Sequence, residues 1–131
     1  MIKVVLDTNV VVSAFLSPSG KPADIIRLAL NGSLTLCINT PILVEYEQVL
    51  MRSKFTDKIH NSAISRFFDI INDIGESIVY VPSKIHMIDE SDRCFFDVAK
   101  NAGAILITGN KKHFPNEMFV KTPAEFLTDF S

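Results

Sequence analysis

Tryptophan is absent from this 131-residue chain, and cysteine and glycine are scarce. The two cysteines, Cys37 and Cys94, lie far apart and show no Cys-x-x-Cys or Cys/His ligand spacing. That argues against a structural zinc site and leaves two free thiols, as in a reducing cytosol. None of the five glycines builds a Gly-rich loop behind a strand-like run. Nucleotide-binding folds that cradle phosphates on such a loop are therefore disfavoured. An excess of positive charge is missing too: 13 Lys and Arg stand against 15 Asp and Glu, a net charge of -2. Nucleic acid would have to be held by a local basic rim or by bound metal ions rather than by bulk charge. No long apolar run occurs. The opening Met1-Ile2-Lys3-Val4-Val5-Leu6 is too short for a signal peptide or a membrane span, so a cytoplasmic protein without membrane contact is expected.

What is present is enough for a core. Hydrophobic residues make up 47% of the chain, ten of them Phe. The length suits a single domain, 1–131. A mean hydropathy of +0.25 is high for a small monomer and points to an apolar surface used for self-association. Helices expected at 23–31 and 41–52 are the candidate surfaces.

Periodicity and punctuation predict strands at 2–6, 34–38, 78–81 and 104–107. They predict helices at 10–16, 23–31, 41–52, 56–74 and 91–102, and a last short helix from Thr122-Pro123. Thr40 is the expected N-cap of the third helix, with Pro41 behind it. Strands alternating with helices imply a parallel sheet covered on both faces, whose functional groups gather beyond the carboxyl ends of the strands.

Four polar segments stand out: Asp7-Thr8-Asn9 and Thr108-Gly109-Asn110 directly follow their strands, Glu45 lies one turn into a Pro-started helix, and Asp92 stands where a late helix begins. Helix phase places Asp92 within the apolar arc of Phe95, Phe96, Val98, Ala99 and Ala102, facing the body of the protein. Asp97 falls outside that arc, beside Arg93, Lys100 and Asn101, and is expected in solvent. Glu45 and Glu47 flank the stripe of Ile42, Leu43, Tyr46, Val49 and Leu50 symmetrically, so phase leaves either open. Gathered carboxylates repel one another, and a hard divalent cation with oxygen ligands is the usual compensation. Metal and carboxylates together point to hydrolysis of a phosphate ester.

With these segments in this order, the chain resembles the PIN-domain family of metal-dependent ribonucleases. It is most similar to the VapC-type toxin components of type II toxin–antitoxin pairs. The resemblance runs through Leu6-Asp7-Thr8-Asn9, the helix opening Asn39-Thr40-Pro41-Ile42-Leu43-Val44-Glu45, then Asp92 and Thr108-Gly109-Asn110. It implies a three-layer α/β/α sandwich around a central, mainly parallel sheet. It places the family acids on Asp7, Glu45 and Asp92, and so chooses Glu45 over Glu47. The fourth acidic position falls on Asn110, which keeps an oxygen ligand but loses a charge. Thr8, Asn9 and Thr108 match supporting polar positions. Phe96 stands where many close relatives carry an extra acid, which puts a second metal in doubt.

The implied cofactor is Mg²⁺ or Mn²⁺, held by Asp7, Asp92 and Glu45 largely through waters, with Asn110 completing the catalytic set. The implied partners are an RNA substrate cut to a 5′-phosphate and a 3′-hydroxyl, an antitoxin protein, and a second copy of the chain. For RNA, Lys111 and Lys112, with His113, form a basic run at the rim, and Arg52, Lys54 and Lys58 a second group. The alternative is a non-catalytic PIN-like protein that binds nucleic acid or a partner. A phosphohydrolase with Asp7 as nucleophile fits less well, because Asn9 stands where its second acid belongs.

Overall fold

The computed structural model describes residues 1–52 and 57–130. Five strands form one fully parallel sheet: β1 (Lys3–Leu6), β2 (Thr35–Ile38), β3 (Glu76–Ser77), β4 (Ile105–Ile107) and β5 (Val120–Lys121). Their order across the sheet is β3-β2-β1-β4-β5. Six helices flank it: α1 (Thr8–Leu16), α2 (Lys21–Leu30), α3 (Thr40–Leu50), α4 (Asn61–Ile74), α5 (Arg93–Ala102) and α6 (Pro123–Phe130). The result is the expected three-layer α/β/α sandwich.

The chain first winds outward from β1 through β2 to β3, then returns to the other side of β1 for β4 and β5. The direction reverses between β1 and β4. The crevice outside the carboxyl ends of those two strands is where such sheets bind ligands. Asp7 directly follows β1, and Thr108 directly follows β4.

The central strands read as unbroken apolar runs because both faces are covered. Val4, Val5, Leu6, Leu106 and Ile107 are fully buried. Helix α5 crosses β1, β2 and β4, with Phe95, Phe96, Val98 and Ala99 sealed against them. Gly103 ends it in the left-handed conformation at φ 64°, which glycine adopts without strain. Gly75 closes α4 at a tight approach, where any Cβ would stand 2.5 Å from the Ile71 carbonyl oxygen.

Several element ends differ from expectation. Asn39, not Thr40, caps α3: its side chain accepts from the Ile42 amide at 3.0 Å, and Thr40 is already helical. The strand expected at 78–81 is instead Glu76–Ser77. Among the described residues its one neighbour, β2, ends at Ile38, so the pairing stops after the bond from the Ile78 amide to the Ile38 carbonyl. The fourth helix begins at Asn61; residue 56, its expected start, lies outside the described residues. The helix expected at 91–102 opens with a 3₁₀ turn at Glu90–Asp92 before α5 proper. Strand β5 was not expected at all, since two residues make no visible pattern.

Candidate active site

Asp7 is held from three sides. The Thr8 amide donates to Oδ1 at 2.8 Å, which caps α1. The Thr108 hydroxyl and the Asn9 amide donate to Oδ2 at 2.7 and 3.2 Å. Asn9 in turn accepts from the Gly109 amide at 3.0 Å, and Thr108 accepts from the Asn110 amide at 3.0 Å. These bonds lace the turn after β1 to the turn after β4. The side chain is 6% exposed. Burial raises its pKa above the usual 3.8, and Glu45 adds to this, while the bonds from Thr108 and Thr8 and the nearby His113 pull it back.

Glu45 reaches the same place from α3. It accepts from the Thr8 hydroxyl at 2.6 Å, whereas Glu47 is exposed. Tyr46, fully buried beside it, donates its hydroxyl to the Leu6 carbonyl and so ties α3 to the end of β1. Asp92 enters from the 3₁₀ turn that leads into α5. Its side chain is 15% exposed and lies 3.9 Å from His113. Burial, then repulsion from Asp7 and Asp89, pushes its carboxyl up to about 6.

Asp7, Glu45 and Asp92 line one cleft of about 410 Å³, together with Thr8, Asn9 and Asn110. Arg52 supplies its cationic edge, and the His113 imidazole stands beside it. Thr108 stands just beneath, fully buried. Lys111 and Lys112 are not in this cleft. Lys111 pairs with Glu125 at 3.1 Å, and both lysines border a separate hollow with Phe114 and Glu117. A 3₁₀ turn at Lys111–His113 rotates successive side chains by about 120°, and it is His113 that faces the carboxylates. Lys58 is exposed and does not line the cleft, and Lys54 lies outside the described residues.

Asp97 corrects an expectation: it is fully buried, not solvated. Its Oδ2 accepts from the Ser83 amide at 2.8 Å. Four residues earlier, Arg93 grips the carbonyls of Ser83 and Ile85 at 2.7 Å each, and also Glu90. Together they strap the irregular segment 83–90 along the side of α5 that helix phase assigned to solvent.

The family model of the PIN domain matches residues 3–112. The chain belongs to the PIN-domain family. PIN domains are generally nucleases, and those nucleases typically use divalent metals. Uncharacterized protein MJ1680 of Methanocaldococcus jannaschii is 31% identical over 144 aligned residues, covering 98% of this chain and 92% of that relative. Among solved structures, PAE2754 from Pyrobaculum aerophilum superposes with a TM-score of 0.62 at 13% identity, over 98% of this chain and 88% of that one. VapBC2 from Rickettsia felis, bound to a DNA fragment from its promoter, superposes at 0.58 and 20% identity, over 85% and 90%.

The donor set of this PIN domain fits a hard cation. It offers the carboxylates of Asp7, Glu45 and Asp92. The nearby Cys94 thiol is pushed up to about 12, chiefly by burial, so it offers no thiolate to a soft metal. Among the described residues, no three His, Cys, Asp or Glu side chains stand close enough to grip one ion directly. Among the same residues, no helix is long and apolar enough to cross a membrane.

Proposed function

We propose that this single-domain PIN protein is a cytoplasmic, divalent-metal-dependent endoribonuclease, the toxin of a toxin–antitoxin pair. The observation that carries the reading is the meeting of Asp7, Glu45 and Asp92, from three separate elements, at the switch point of the sheet. The likeness to VapBC2 of Rickettsia felis supports the antitoxin partner.

Mg²⁺ or Mn²⁺, when bound, would polarise a phosphate oxygen and make a bound water more acidic. Asp7 and Asp92 would hold the ion, with Glu45 reached through water. Glu45, aimed by the Thr8 hydroxyl, orients the attacking water and takes its proton. Asn110, fixed through its backbone to Thr108, positions the phosphate. Arg52 and His113 draw the strand toward a cleft whose carboxylates otherwise repel it. Lys111 and Lys112 extend that attraction along the rim. The products are a 5′-phosphate and a 3′-hydroxyl.

Purified protein is expected to cut single-stranded RNA with Mg²⁺ or Mn²⁺ and to stop when EDTA is added. RNA left intact across both metals, with binding retained, would make this a non-catalytic RNA-binding PIN protein.

A homodimer is also proposed. Val44 and Met51, on and just after α3, are about half exposed, two apolar side chains at the surface on either side of Glu47 and Gln48. The exposed side of α2 carries Asp24 and Arg27 and suits association less. Sedimentation should show a dimer at tens of micromolar, and Val44→Glu with Met51→Glu should dissociate it. A wild type that sediments only as monomer would remove this part of the reading.

A further inference from the structure

A second hollow, of about 390 Å³, opens beside the carboxylate cleft and shares Asn9, Ser13 and Asn110 with it. Its remaining walls are Val10, Pro22, Gly109 and Pro123. No charged residue lines it, whereas the carboxylate cleft itself carries three acids and Arg52. A phosphate would find no cation there and would sit beside Asp7. An uncharged ring with a polar edge meets the opposite conditions: the partly exposed Pro22 and Pro123 for its faces, and hydrogen-bonding groups at the rim. Resting on the ribonuclease reading above, we infer that this hollow seats the nucleobase adjacent to the scissile phosphate.

The rim also sets a preference. The Asn9 amide is spent, its nitrogen on Asp7 and its oxygen on the Gly109 amide. Asn110 turns its nitrogen toward His113 at 3.2 Å, which leaves its oxygen free as an acceptor. Ser13 is exposed, and its hydroxyl has no partner among the described residues. A free acceptor beside a hydroxyl favours a base edge that carries an amino group. Uracil offers there only its single ring N3–H against the two protons of an amino group, so adenine, guanine and cytosine should bind better.

The four nucleoside 5′-monophosphates, added singly with Mg²⁺, provide the probe. Chemical-shift mapping should move the amides of Val10, Ser13 and Gly109, with uridine monophosphate the weakest. Ser13→Phe, at an exposed helical position that leaves the core alone, should fill the hollow and weaken nucleotide binding by about 10-fold or more. Ser13→Ala should narrow the gap between uridine and the other three. The inference is overturned if the shifts stay on the basic rim, or if Ser13→Phe binds all four as the wild type does. Nucleotides that bind here in a protein that cuts no RNA would sink the nuclease reading and leave the base site standing.

Discussion

Asp92→Asn is expected to lower RNA cleavage at least about 100-fold while leaving the metal-free protein as stable as before, or slightly more so. Among the described residues the Asp92 carboxylate accepts no hydrogen bond, and its one partner is His113 at 3.9 Å. Asparagine therefore loses no bond that holds the fold. It does lose a charge that Asp7 and Asp89 repel. The pH dependence follows. In the folded protein this carboxyl titrates at about 6 against the usual 3.8, so the native state holds the proton more tightly. The stability this supplies is complete below the ordinary value and is lost as pH rises through about 6. Melting in EDTA should show that decline in the wild type and a smaller one in Asp92→Asn. Added Mg²⁺ should raise the wild-type melting temperature and leave the variant nearly unmoved.

Asp97→Ala provides the contrast. It strips the Ser83 amide of its acceptor inside the protein, at a cost of about 1–3 kcal/mol. Cleavage per folded molecule should stay normal. Should Asp92→Asn behave in that way, melting lower without metal and cutting normally, Asp92 is a helix-terminal acid and the metal site is wrongly placed.

The two aspartates also mark how far the sequence could be read. Asp7 and Asp92 were legible because each stands at an element end with a recognisable start or stop, and Glu45 because it lies about one turn beyond such a start. The resemblance then chose between Glu45 and Glu47, which phase could not separate. In the structure Glu47 is exposed, and Glu45 accepts from the Thr8 hydroxyl. Asp97 was misread because helix phase divides the surroundings into a core side and a water side. Segment 83–90 has no periodicity of its own, yet it covers the polar side of α5 through Arg93 and Asp97. The lysines were legible as charge but not as direction. One 3₁₀ turn sends Lys111 toward Glu125 and His113 toward the carboxylates. The short strands β3 and β5 exist through their neighbours, β2 and β4, rather than through any local pattern.

Asp7→Asn should abolish cleavage, a larger loss than Asp92→Asn, and it should also destabilise the fold. The difference lies in what surrounds the two carboxyls. Asp7 receives three donors, and the Thr8 amide can only donate. The asparagine oxygen must therefore stay on Thr8, which turns the new amide group toward Asn9 and Thr108. The Asn9 amide then faces another donor. The Thr108 hydroxyl can rotate to accept, but its own proton loses its acceptor in a fully buried site. One or two bonds are lost, worth about 1–3 kcal/mol, against a smaller gain from removing a buried charge. The expected result is a lower melting temperature in EDTA and no cleavage even at saturating Mn²⁺. Thr108→Val removes the same hydroxyl without changing the acid, so the double variant should lose less stability than the two single losses added together. Strict additivity would mean that the bond from Thr108 to Asp7 does not hold the two turns together. A fully active Asp7→Asn protein would remove Asp7 from the chemistry altogether.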